Sequence, residues 1–183
     1  MERETYEKGL ARVLITEEEI RERIAAAGRY IDSLYDGRPI LLVSILKGAF
    51  IFLADLARAV SVPCEVAFMT VQSYFSGTES SGKVTVTMDL DKDISGYHTV
   101  IVEDIIDTGR TLSHVRKLLM TREPLSLMIV TLLDKPERRL VELKTDLSLF
   151  TIPDLFVIGY GLDYGEYYRN LPYIAEFRQD YDT

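Results

Sequence analysis

The residues best suited to chemistry stand in one thirteen-residue stretch, Val100-Ile-Val-Glu-Asp-Ile-Ile-Asp-Thr-Gly-Arg-Thr-Leu112. An apolar run delivers two adjacent carboxylates, Glu103 and Asp104, and a small hydroxyl-rich turn then leads into a helical pattern. A helix N-terminus offers backbone N–H groups without intrahelical partners and the positive end of the helix dipole, so such a turn suits a phosphate. Asp107 begins the turn, and Thr108, Gly109 and Thr111 supply close approach and hydroxyl donors. No Gly-x-x-x-x-Gly-Lys-Ser/Thr pattern occurs, so the anion would be held without the lysine of a nucleoside-triphosphate loop. Two carboxylates beside an anion repel it unless a cation or sugar hydroxyls lie between. A ribose diol with Mg2+ satisfies both, because this hard ion takes one or two carboxylates plus water and phosphate oxygens. On spacing alone, the stretch fits equally well a capped helix after a strand that ends in solvated acids.

Elements of matching pattern surround this stretch. Thr16-Glu17-Glu18-Glu19 has capping-box spacing, and Ile20, Ile24, Ile31, Leu34 and Tyr35 recur at helical intervals up to Asp36-Gly37. Ile40 to Ile45 is a continuous apolar run, as expected of a parallel strand covered on both faces, and Ala49 to Val60 has helical length. Glu65 to Val71 reads as a strand, Gln72 to Lys83 as a mobile Ser- and Gly-rich loop, and Val84 to Leu90 as a half-exposed strand. Val100 to Val102 is a short buried strand ending at Glu103-Asp104, followed by a helix over about Thr111 to Met120. Leu125 to Leu133 and Phe156 to Ile158 read as further strands. Strands alternate with helices, so the expected class is α/β with a mostly parallel sheet, which puts ligands beyond the carboxyl ends of the strands. The tyrosine-rich tail from Tyr160 to Tyr181 shows no clear period and is expected to pack over one end of the sheet.

Composition sets the limits. The chain has 183 residues, 47% of them hydrophobic, and carries 29 acidic against 21 Lys and Arg residues for a net charge of −8. One domain spanning 1–183 is the simplest organisation. The acidic balance argues against a nucleic-acid partner, which would show as clustered basic residues. A lone cysteine, Cys64, rules out an intramolecular disulfide, and the five charges in Met1 to Leu10 do not fit a signal peptide, so a cytoplasmic address is expected. Lys47 and Asp55 interrupt the most hydrophobic window, Ile40 to Ala57, which argues against a membrane span. His98 and His114 form no ligand-like pair, and Asp89, Asp91 and Asp93 are out of register with a calcium loop.

The thirteen-residue stretch closely resembles the phosphoribosyl pyrophosphate motif of the type I phosphoribosyltransferases. The whole chain is similar to the hypoxanthine-guanine branch of that family. Leu46-Lys47-Gly48, Ser73-Tyr74, Leu133-Asp134-Lys135 and Phe156 to Tyr164 with Arg169 match further family segments, in order and with fitting spacing, over roughly Leu10 to Phe177. The resemblance implies a twisted sheet flanked by helices, with a core over about 37–150. Terminal segments of about 1–15 and 151–183 would form a small hood beside a flexible active-site loop.

The resemblance also implies roles. Glu103 and Asp104 would hold the ribose hydroxyls directly or through Mg2+, and Asp107, Thr108, Gly109, Arg110 and Thr111 would cradle the 5′-phosphate. Asp107 would be the general base at N7 of a purine, or its charge would stabilise the transition state. Lys135 would donate to O6 of a 6-oxopurine, Phe156 would stack on the base, and the Val157 backbone would meet its pyrimidine edge. Asp163 would serve at the purine site and as a metal ligand. Lys47 and Gly48, with a cis peptide before the lysine, would join Arg169 at pyrophosphate, and Ser73-Tyr74 would open a lid over Phe75 to Lys83. The implied reaction is transfer of phosphoribosyl from phosphoribosyl pyrophosphate to hypoxanthine or guanine by a homodimer or homotetramer. Two rivals are a transferase preferring xanthine and a nucleotide-sensing regulator of the same fold that binds nucleic acid. The acidic balance and the presence of Lys135 and Asp107 weigh against the regulator.

Overall fold

The computed structural model describes residues 9–74 and 83–178, without the side chains of Ser73, Tyr74 and Lys83. The chain runs through β1 (Leu10–Ile15), α1 (Glu17–Tyr35), β2 (Ile40–Leu46), α2 (Phe50–Ala59), β3 (Cys64–Tyr74), β4 (Lys83–Met88) and β5 (His98–Ile106). It continues through α3 (Arg110–Met120), β6 (Ser126–Asp134), β7 (Leu147–Thr151), β8 (Val157–Ile158) and β9 (Ile174–Phe177).

The six-stranded sheet has the order β4-β3-β2-β5-β6-β7. Every neighbouring pair in it is parallel except β3 with β4. Ile40, Leu41, Leu42 and Val43 of β2 are essentially inaccessible, which is why that strand reads as an unbroken apolar run. Ile40, Leu42, Val100, Val102 and Val130 pack with α1 and α2 on one face. Leu41, Val43, Ile101 and Ile129 pack with Leu112, Val115 and Leu119 of α3 on the other. The capping box holds α1 at its start: Thr16 Oγ1 accepts from the Glu19 N–H at 3.3 Å, and the Glu19 carboxylate accepts from the Thr16 N–H at 2.8 Å. Leu34, counted on the apolar face by its spacing, is 44% exposed because the helix turns it past the edge of the packing.

The topology determines where a ligand can bind. From β2 the chain goes to β3 on one side and returns to β5 on the other, so the strand order reverses between β2 and β5. The loops after these two strands, 47–49 and 107–109, therefore diverge and leave a crevice at the carboxyl edge.

Four expectations need revision. β5 is longer than Val100 to Val102: it pairs with β6 as far as Ile106↔Asp134, so Glu103 and Asp104 sit within the strand, fixed by ladder hydrogen bonds. The Val157–Ile158 strand belongs to a second, antiparallel sheet of order β1-β9-β8, and Phe156 precedes it. The tail contains β9, which pairs with both β1 and β8 and closes this hood sheet over Ile158, Tyr168, Ala175 and Phe177. The mobile-loop reading began too early, since Gln72, Ser73 and Tyr74 continue β3. The expected loop from Phe75 to Gly82 lies outside the described residues.

Candidate active site

The end of β5 brings acids together where water is scarce. Burial, reinforced by the charges of Asp104 and Asp107, pushes the Glu103 carboxyl well above its ordinary range. Its Oε2 is buried without a hydrogen-bond partner among the described residues. Burial also lifts Asp104 to about 6, against the lowering effect of the Ile105 N–H, which donates to its carboxylate at 2.7 Å, and of Arg169. Asp163 adds to the rise. Such a pair lacks positive charge and hydroxyl donors, and a ligand can supply both. Gly48 lets its loop lie against the Asp104 carboxylate: a Cβ there would sit 1.5 Å from Asp104 Oδ2.

Beyond Ile106 the chain makes the turn that starts α3. Gly109 has φ 77°, a conformation L side chains rarely adopt, and no side chain caps the helix. The Thr108 hydroxyl accepts from the Arg110 N–H at 3.4 Å. Asp107, Gly109 and Thr111 line a cavity of about 170 Å³ with Glu103 and Asp104, at a helix N-terminus with the polarity an anion needs. Arg139, which sequence reasoning missed, braces the turn. It donates to the carbonyls of Asp107 at 3.2 Å and Leu143 at 3.1 Å and pairs with Asp134, while the Leu140 N–H donates to the Thr108 carbonyl at 3.0 Å. Nothing in the spacing of an arginine four residues past Lys135 signals this.

A second cavity, of about 560 Å³, is lined by Ile105, Asp107, Lys135, Arg138, Asp154, Phe156, Val157, Leu162 and Asp163. Lys135 is 8% exposed, and burial lowers its proton affinity against the opposing charge of Asp154. Its ammonium donates to the Leu155 carbonyl and lies 3.7 Å from Asp154, which also pairs with Arg138 at 3.2 Å. Phe156 stays 39% exposed while its ring meets those of Tyr164 and Phe177 edge-on, at 5.9 and 5.8 Å. An apolar wall facing the buried ammonium of Lys135 suits a flat heterocycle with a carbonyl oxygen. Asp107 and Ile105 line both cavities, so Asp107 stands where the two adjoin.

Lys47 and Arg169 share an anionic partner, Glu166. The Leu46-Lys47 peptide is cis, as the resemblance implies. Lys47 Nζ lies 2.9 Å from Glu166, and Arg169 pairs with Asp163 at 2.9 Å and Glu166 at 3.4 Å while donating to the Gly161 carbonyl at 2.8 Å. Asp163 also accepts from the Glu166 N–H at 2.9 Å. Ser73 and Tyr74 end β3, and the lid expected beyond them lies outside the described residues. The structure thus gathers Glu103, Asp104, Asp107, Thr111, Lys135, Phe156, Val157 and Asp163 around two adjoining cavities. It adds Ile105, Arg138, Asp154 and Leu162, whose types alone carry no chemical signal. No group of three or more His, Cys, Asp or Glu among the described residues could by itself hold a metal.

Comparison with known proteins follows the same lines. Residues 10–165 match the model of the phosphoribosyl transferase domain family. A hypoxanthine phosphoribosyltransferase of Salmonella typhimurium is 52% identical over 171 residues, covering 92% of this chain and 96% of that protein. A hypoxanthine-guanine phosphoribosyltransferase of Streptococcus pneumoniae is 46% identical over 174 residues, covering 95% and 97%. The crystal structure of a hypoxanthine phosphoribosyltransferase from Staphylococcus aureus superposes with a TM-score of 0.93 at 41% identity, covering 100% of both chains. With its motif, its fold and its relatives in agreement over nearly the whole length, the chain belongs to the phosphoribosyltransferase family.

Proposed function

We propose that this protein is a purine-salvage enzyme that transfers the 5-phosphoribosyl group from phosphoribosyl pyrophosphate to hypoxanthine or guanine, giving the nucleoside monophosphate and pyrophosphate. The observation that carries this reading is that Asp107 lines both the cavity at the start of α3 and the larger cavity beside Lys135 and Phe156, which suit a phosphate and a heterocycle in turn. The reacting atoms of the two substrates must meet there. The bond from C1′ to pyrophosphate breaks, the bond from N9 of the base to C1′ forms, and the base loses one proton.

Each residue contributes binding or charge. The turn Asp107 to Thr111 holds the 5′-phosphate through backbone N–H groups and hydroxyls. Glu103 and Asp104 accept from the ribose hydroxyls. Lys135, a donor only, selects a 6-oxo group, since the 6-amino group of adenine would face it with a second donor. Phe156 covers the ring, and Asp107 accepts the base proton or, by its charge, stabilises the cationic sugar. Lys47 and Arg169 hold pyrophosphate. The hard oxygen donors Glu103 and Asp104, one with a buried unpartnered oxygen, fit Mg2+ in the company of substrate oxygens, with Asp163 alongside. When bound, that ion neutralises charge on the leaving diphosphate. Positioning and electrostatics supply the catalysis.

The protein acts in the cytoplasm as a homodimer or homotetramer. Among the described residues, no helix is long and apolar enough to cross a membrane. The test is nucleotide formation from phosphoribosyl pyrophosphate and Mg2+ with hypoxanthine, guanine, xanthine, adenine and uracil in turn. Turnover with hypoxanthine or guanine and none with adenine or uracil is expected. No turnover with either 6-oxopurine sinks the proposal, and fastest turnover with xanthine moves it to the xanthine-preferring rival.

A further inference from the structure

We propose that Glu166 is a built-in stand-in for pyrophosphate, a positioning residue that bridges Lys47 and Arg169 in the free enzyme and must be displaced when the diphosphate binds. The inference rests on the assignment of Lys47 and Arg169 to pyrophosphate. One oxygen, Glu166 Oε2, lies 2.9 Å from Lys47 Nζ and 3.4 Å from the Arg169 guanidinium. The two cations come from distant parts of the chain, Lys47 being 119 residues from Glu166. Their shared anionic partner therefore occupies the position between them that a diphosphate oxygen would fill.

The backbone supports a dedicated role. Glu166 has φ 72°, in the left-handed region, immediately after Gly165 at φ 58°. A non-glycine residue there is unusual, and such outliers gather at functional sites. The Glu166 N–H donates to Asp163, whose other oxygen pairs with Arg169, so the turn is tied to the cation whose charge it offsets. Gly161, which receives the Arg169 hydrogen bond on its carbonyl, packs so tightly on the Gly48 carbonyl that a Cβ there would come within 2.0 Å of it. The Lys47-Gly48 loop and the Arg169 segment are thus packed directly against each other.

The bridge is weak enough to yield. Lys47 and Glu166 side chains are each 65% exposed, and an exposed pair shifts an equilibrium by at most about fivefold. That is the scale on which an internal anion lowers the affinity of a product that two free cations would hold too long.

The experiment measures dissociation constants of Mg-pyrophosphate, and product-inhibition constants, for the parent, Glu166→Gln, Glu166→Ala, Lys47→Gln and the Lys47→Gln/Glu166→Gln double variant. Melting temperatures check folding. Both Glu166 variants should bind pyrophosphate about two- to fivefold more tightly than the parent, and the gain from Glu166→Gln should be smaller when measured from Lys47→Gln to the double variant. Unchanged or weaker binding in both Glu166 variants overturns the inference, as does a gain that is undiminished in the Lys47→Gln background. An active parent with those results overturns only this inference, whereas a parent that neither binds pyrophosphate nor forms nucleotide overturns the proposed function as well.

Discussion

Asp104 and Lys135 are buried charges of opposite sign, and each is shifted toward its neutral form by the same cause. For Asp104 the direction has a measurable consequence in the metal-free protein. The unfolded carboxyl titrates near 3.8 and the folded one at about 6, so between those values the folded state binds more protons. Its contribution to stability is complete below pH 3.8 and is lost as pH rises through about 6. Asp104→Asn removes that loss. In urea unfolding the variant should match the parent near pH 4 and exceed it above pH 6, by on the order of 2 to 3 kcal/mol. A difference that does not change with pH contradicts the burial argument. Lys135→Ala removes the proposed donor to O6 and should lower kcat/KM for hypoxanthine about 10- to 100-fold while relaxing rejection of adenine. Parallel kinetics with the two bases check this, and full retention of the preference contradicts it.

At the scale of elements, close approach governs the site. Gly48→Ala would drive a methyl group into Asp104 Oδ2, so it should weaken binding of Mg-phosphoribosyl pyrophosphate at least tenfold while the melting temperature falls little. Titration calorimetry decides, and unchanged affinity would show that the crevice tolerates the methyl. The strongly patterned elements were legible in the sequence. The capping box announced α1, the apolar run announced β2, and the Asp107 to Thr111 turn announced the start of α3. The weak ones were not. β1, β7 and β9 run to six, five and four residues, too short for a periodic signal, and two of them acquire meaning only by pairing with each other across nearly the whole chain. The length of β5 was missed because charged residues usually mark a strand's end, whereas here the ladder to β6 continues past them. Arg139 and Asp154 act through contacts that only the folded turn creates.

For the molecule as a whole, a net charge of −8 sits uneasily with a highly charged anionic substrate. On the proposed reading the tension is resolved locally, with backbone N–H groups and a helix end at the 5′-phosphate and a cation between carboxylates and diphosphate. Binding of phosphoribosyl pyrophosphate should therefore collapse on chelation of Mg2+ yet change only about two- to threefold between 50 and 200 mM salt. A steep salt dependence that persists without Mg2+ would instead indicate binding by surface charge.

The position of Asp107 between the two cavities is the claim on which the account depends. Steady-state kinetics of Asp107→Asn with hypoxanthine and phosphoribosyl pyrophosphate test it most directly. The account predicts a kcat lower by about 100- to 10,000-fold, with KM for both substrates within a few-fold of the parent, because a base or charge at the junction acts in the transition state. An unchanged kcat would contradict it.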